Sequence, residues 1–237
     1  FKAGGLQHMD AVVIHPYRVS PEGVDAEVAE LRELIRRHNQ GRDKPIWVTE
    51  TGRMDKSEFA WEKGRGLFEL GRRNIARYLV RQYVLLLSQE CERIYWYLAA
   101  DHLEFGSMGL LRGEKDRAGR YAAAPPYAAY ATLIRQLDGA KFVAREAMRP
   151  YTRARVYRFA RGAEEVRVCW ATQPAKVRIA GAGPLTRTDL MGVDRALEPR
   201  EGGVELELSE TPFYLKGAVT AISEVDAGPR VYADSVD

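Results

Sequence analysis

The sequence predicts an α/β region followed by an all-β region, with the change near residue 140. Up to about that point, short β-branched apolar runs alternate with long stretches of helical periodicity, the pattern of successive βα units. Beyond it, period-two segments recur between Gly and Pro, as half-buried antiparallel strands do. The composition, 46% hydrophobic and 29% charged over 237 residues, supplies apolar surface for one large or two modest domains.

The first element is Met9 to His15, a nearly continuous apolar run with the look of a strand buried on both faces, stopped by Pro16. Val24, Val28, Leu31 and Ile35 then recur at helical steps, with Glu27, Glu30, Arg32 and Arg36 opposite them. That is a surface helix lying on a sheet, ending near Asn39–Gly41. Pro45 to Gly52 forms the second buried strand, and Leu70 to Gln89 a long helix with Ile75, Leu79, Tyr83 and Leu86 inward. Ile94 to Ala99 is the third strand; a loop from Ala100 to Pro126 leads to a last helix, Tyr127 to Leu137.

Right-handed crossovers would make these units a curved parallel sheet with helices on its outside. An open doubly wound sheet is the alternative, but no G-x-G-x-x-G follows a strand and no G-x-x-x-x-G-K occurs. In the second region Val156–Phe159, Val166–Trp170 and Val204–Leu208 alternate in and out. The expected domains are therefore 1–140, a small β-sandwich over 141–222, and a loose tail over 223–237.

A net charge of +3, from 36 basic and 33 acidic residues interleaved along the chain, marks neither a nucleic-acid nor an anionic-membrane surface. No apolar run reaches the ~18 residues of a membrane span. Cys91 and Cys169 lack the close spacing of zinc or redox motifs and read as a buried, inert pair. His8, His15, His38 and His102 are scattered, so the pattern calls for no metal and no cofactor. The start, Phe1-Lys2-Ala3-Gly4-Gly5, has neither an initiator Met nor a signal-peptide pattern and reads as the interior of a longer product.

The chemistry-bearing residues gather at strand ends, where parallel α/β folds place reactive side chains. The first strand ends in His15 and Tyr17, the second in Glu50 with Arg53 beyond it, and the third in Tyr95, Trp96 and Tyr97, followed by Asp101 and His102. A carboxylate ending the run Ile46-Trp47-Val48 needs partners to offset its desolvation, and Tyr17 is the candidate. The bland readings are an ion pair of Glu50 with Arg53, a packed turn at His15–Tyr17 and a core Trp96.

These stretches resemble the retaining glycoside hydrolases of clan A, in particular the β-xylosidase and α-L-iduronidase group and the cellulase-like families. Met9–Tyr17, Pro45–Gly52 and Tyr95–Leu98 look like the sixth, seventh and eighth strands of a (β/α)8 TIM barrel, and Gly109–Leu111 with Pro126–Tyr130 like its last loop and helix. Thr188–Gly192 and Pro212–Leu215 resemble the appended β-sandwich. The resemblance implies that the chain carries the last three βα units of an incomplete barrel and acts on a carbohydrate: an oligosaccharide, polysaccharide or glycoside.

It further implies that Glu50 is the catalytic nucleophile, that Tyr17 donates a hydrogen bond to it, and that His15 flanks the sugar subsite. Trp96 would be the aromatic floor under the sugar ring, with Tyr95 or Tyr97 in that place if the strand phase differs. Asp101 and Glu104 are further candidates for sugar hydroxyls. The family's acid/base Glu usually follows Asn, and the dipeptide Asn-Glu occurs nowhere in the sequence. The implied partner is thus a missing N-terminal barrel segment of the same protein, and the piece alone is expected to be inactive and to expose sheet edges. A non-catalytic carbohydrate-binding or assembly protein built on a partial barrel is the alternative.

Overall fold

The structure, a computed structural model, describes residues 1–53, 68–102, 107–146, 153–200 and 203–226. The chain divides into two compact units, Phe1–Asp138 and Gly139–Asp237.

The first unit contains strands β1 (Val12–Ile14), β2 (Ile46–Thr51) and β3 (Arg93–Trp96), and helices α1 (Val24–His38), α2 (Phe68–Ser88) and α3 (Pro125–Leu137). The strands pair in parallel and in sequence order, β1-β2-β3, each crossover adding the next strand on the same side. Helix α2 packs against both α1 and α3, so the three helices form one layer on one face of the sheet. That layer covers Val12, Ile46 and Val48, all buried, and α2 contributes Ile75, Leu79, Val84 and Leu86 with no exposed surface.

The opposite face follows the other phase of the pleat and is open. Val13 is 51% exposed and Tyr95 50%, with Arg93 exposed and Trp47 half-buried between them. The expectation that the first strand is buried on both faces is therefore corrected: helices cover one face, and among the described residues no second layer covers the other. The strand is also shorter than the apolar run that announced it, because β1 pairs with β2 only over Val12–Ile14.

The second unit is antiparallel. One sheet has the order β4 (Lys141–Arg145), β5 (Ala154–Arg161), β6 (Glu164–Ala171), β11 (Phe213–Lys216), β8 (Leu185–Thr188) and β9 (Asp194–Leu197). The other is β10 (Val204–Leu208), β7 (Ala175–Gly181) and β12 (Val219–Asp226). Alternate residues of both meet in one core: Val156, Cys169, Phe213 and Leu215 from the larger sheet, Val177, Ile179 and Leu208 from the smaller. Residues 223–226, read from the sequence as the start of a loose tail, continue β12 and pair with β7 through Ser223↔Arg178 and Glu224↔Val177. Ladder hydrogen bonds need backbone rather than apolar side chains, which is why a polar stretch can complete a strand.

Cys91 and Cys169 are both free and buried, and burial pushes the Cys91 thiol up to about 11. Among the described residues no helix is long and apolar enough to cross a membrane, and no group of His, Cys, Asp and Glu is arranged to hold a metal ion.

Candidate active site

The strand ends of the first unit carry the site, and a bulge in β2 aims its central residue. Between Val48 and Thr51 the β2–β3 register shifts, with one more residue on β2 than on β3. Ile46, Val48 and Thr51 are buried while Trp47, Thr49 and Glu50 are not. Strict alternation from Ile46 and Val48 would turn Glu50 into the helix layer. The extra residue instead sends Thr51 there and leaves Glu50 on the open side, the kind of re-aiming that bulges perform.

Glu50 meets residues just past the end of β1. The Tyr17 hydroxyl donates to Glu50 Oε2 at 3.0 Å, and His15 Nδ1 stands 3.6 Å from the same oxygen. The other nitrogen of that ring, Nε2, shares a 2.8 Å hydrogen bond with Thr49 Oγ1, which fixes the orientation of the imidazole. The cluster is accessible, with the Glu50 side chain 38% exposed. Burial, the hydrogen bond to Glu50 and the negative charge there push the Tyr17 phenol well above the ordinary tyrosine range, so it stays a donor at any working pH. Tyr97 adds to that upward push.

The phase of β3 sorts its aromatics. Ile94 and Trp96 lie on the more covered side, Arg93 and Tyr95 on the open one. Trp96 packs edge-on against Tyr78 of α2 with centroids 6.3 Å apart, and its indole N–H donates to the Met108 carbonyl at 3.0 Å. Both contacts are thus with the helix layer and the following loop. The Tyr97 N–H donates to the Thr51 carbonyl at 2.8 Å, stitching the end of β3 to the residue after Glu50. Gly52 permits that approach, because a Cβ there would lie 2.3 Å from the Tyr97 carbonyl oxygen.

Asp101 has a structural assignment. Its Oδ2 pairs at 2.7 Å with Arg72, a guanidinium buried in α2, and its Oδ1 accepts the Gly109 N–H at 2.7 Å. Both oxygens of a carboxylate expected to touch sugar are engaged in pinning the loop after β3. Arg72 also reaches Asp116 at 3.3 Å, so this loop is fastened twice to the same helix. Arg53 lies over the Tyr78 ring, 5.6 Å from its centroid, rather than pairing with Glu50. Glu104 lies outside the described residues.

Thr49, Thr51, Arg72 and Gln82 are members of this framework that strand-end reasoning does not reach. Their one signal in the sequence is polarity inside apolar context: Gln82 interrupts the run of α2, and Thr49 and Thr51 flank Glu50.

Solved structures resemble this architecture. A family 39 glycoside hydrolase from the gut symbiont Bacteroides cellulosilyticus WH2 superposes with a TM-score of 0.70 at 22% identity, over 92% of this chain and 46% of that one. The chain has a clan A glycoside hydrolase-like fold. A family 86 β-porphyranase from Bacteroides plebeius matches with a TM-score of 0.60 at 11% identity, over 91% and 42% of the two chains. A family 30 endoxylanase from Clostridium papyrosolvens C71 gives 0.55 at 15% identity, over 90% and 50%. The chain therefore spans about half the length of these TIM-barrel enzymes, consistent with a partial barrel. No protein-family model and no curated protein matches the sequence.

Proposed function

We propose that this chain is the C-terminal portion of a retaining glycosidase, with β1, β2 and β3 as the last three strands of its barrel and the antiparallel unit as its appended β-sandwich. One observation carries the reading: a strand-end carboxylate, turned out by a bulge, accepts the hydroxyl of Tyr17 at 3.0 Å with His15 beside it. The ends of two neighbouring parallel strands thus converge on one accessible carboxylate oxygen. The shared core of the two antiparallel sheets supports the sandwich assignment.

In this reading Glu50 attacks the anomeric carbon as the glycosidic bond breaks, giving a glycosyl-enzyme ester. The leaving-group oxygen takes a proton from a general acid. Water, deprotonated by the same group, then attacks the anomeric carbon and frees Glu50. Tyr17 holds the carboxylate in place through its hydroxyl and His15 lines the adjoining subsite. Tyr95, on the open side of β3, is better placed than Trp96 to lie under a sugar ring, whose C–H groups pack on an aromatic face, with Tyr97 the alternative. The acid/base carboxyl belongs to barrel strands outside this sequence. The endoxylanase and β-porphyranase among the structural neighbours support a carbohydrate as substrate.

The test uses two proteins. The present chain should show no turnover of aryl glycosides above background; turnover abolished by Glu50→Gln would refute the assignment of the acid to another segment. In the longer product of the gene, Glu50→Gly should lower kcat by several orders of magnitude. Azide should then restore activity on an activated aryl glycoside and yield a glycosyl azide of inverted configuration. Retention of near-normal activity in that variant would remove Glu50 from the mechanism.

A further inference from the structure

Gln82 sits in the C-terminal half of α2 with no exposed surface. A carboxamide is a costly occupant of such a position unless its polar atoms are paired. Its Nε2 donates to the Pro16 carbonyl at 3.3 Å and to Thr51 Oγ1 at 3.1 Å. Pro16 is the residue before Tyr17, and Thr51 the residue after Glu50. A single nitrogen therefore ties together the two chain segments whose side chains meet at the candidate site. Because the Pro16 partner is a carbonyl, the nitrogen end of the amide must face it, and both of its protons are used on these two acceptors.

The β1–β2 ladder ends at the pair Ile14↔Val48. Past that point the two strands carry Tyr17 and Glu50 onward with no paired register between them, and the Gln82 bridge adds a tie from the helix layer to the His15–Thr49 hydrogen bond. Its reach extends to the third strand, since the Thr51 carbonyl accepts the Tyr97 N–H at 2.8 Å. The other end of the amide is unlike the first: Gln82 Oε1 is buried with no hydrogen-bond partner among the described residues. An unpaired buried acceptor destabilises, and a leucine of similar size would avoid that cost. Packing alone does not account for an amide here; its donor end does.

We propose that Gln82 is a positioning residue, which from the helix layer sets the separation of Tyr17 and Glu50 by bridging the Pro16 carbonyl and the Thr51 hydroxyl. It touches no substrate, and its relevance to catalysis rests on the reading of Glu50 as the attacking carboxylate.

The experiment labels the chain with tyrosine carrying ¹³C at Cζ, whose chemical shift reports the hydrogen bond of the phenol, and records spectra at neutral pH. Tyr17→Phe assigns the Tyr17 signal, and Glu50→Ala defines its full displacement when the acceptor is removed. Gln82→Leu is expected to move the Tyr17 signal by at least half of that displacement, while the signal of Tyr214, buried in the other unit, stays in place. Thr51→Val, which deletes one acceptor of the bridge and keeps a β-branched shape, is expected to move it in the same direction by less. A Tyr17 signal that holds its position in folded Gln82→Leu overturns the proposal. If that variant does not fold, Thr51→Val decides by the same criterion. Because the signal reports the Tyr17–Glu50 hydrogen bond and not turnover, failure of azide rescue would remove Glu50 as nucleophile and leave the Gln82 bridge standing.

Discussion

In the antiparallel unit both sheets turn an apolar face toward the same cluster, and Val156, Cys169, Val177, Ile179 and Leu215 retain no exposed surface. In the parallel unit the sheet is covered by helices on one face, and Val13 and Tyr95 on the other are each about half exposed. The contrast separates two sheets that close on each other from one that, among the described residues, is covered on a single face. The same asymmetry bears on the candidate site: the uncovered side of the sheet and its rim leave Glu50, Tyr17 and His15 accessible.

The largest effect should come from the closed core. Phe213→Ala, which empties a fully enclosed ring site, should destabilise the antiparallel unit by about 3–5 kcal/mol, measured as a lower urea midpoint of Trp170 fluorescence. A much smaller loss would mean that the two sheets do not share the core described.

An intermediate effect should come from the fastening of the parallel unit. Arg72→Leu leaves Asp101 without its buried counter-ion, while Asp116 keeps Arg112 at 3.6 Å. Since Asp116 is partly solvated, the cost should be about 2–3 kcal/mol, below that of a fully buried pair. Amide exchange at Gly109, whose N–H is held by Asp101, should accelerate first. Unchanged protection there would show that the loop after β3 is held by something other than this ion pair.

The smallest effect belongs to the open face. Tyr95→Ser should change the unfolding free energy, measured by urea titration, by no more than about 0.5 kcal/mol, as at exposed sites generally. A loss well above that would mean the face is covered, and the contrast between the two units would collapse.

Much of this was legible in the residues. The periodicity of Val24–Ile35 and Ile75–Leu86 located α1 and α2, and the run Ile46–Val48 located β2, because an apolar face must be buried and its spacing betrays the element. The bulge was not legible: nothing in Trp47-Val48-Thr49-Glu50-Thr51 says that one residue is extra, since the shift exists only against the register of β3. The same holds for the aromatics. Tyr95, Trp96 and Tyr97 are adjacent in the chain, and the pleat decides which of them faces the helices. Asp101 looked available for ligand because its partner, Arg72, is remote in sequence.

The sequence by itself determined which segments become strands and helices and which residue types end the strands, because periodicity and composition act locally along the chain. Only the tertiary structure decided that Glu50 turns to the open side, that Trp96 packs toward α2, and that Asp101 and Gln82 serve as ties. Those outcomes depend on register between strands and on hydrogen bonds between residues far apart in the chain, and such contacts exist only once the layers have come together.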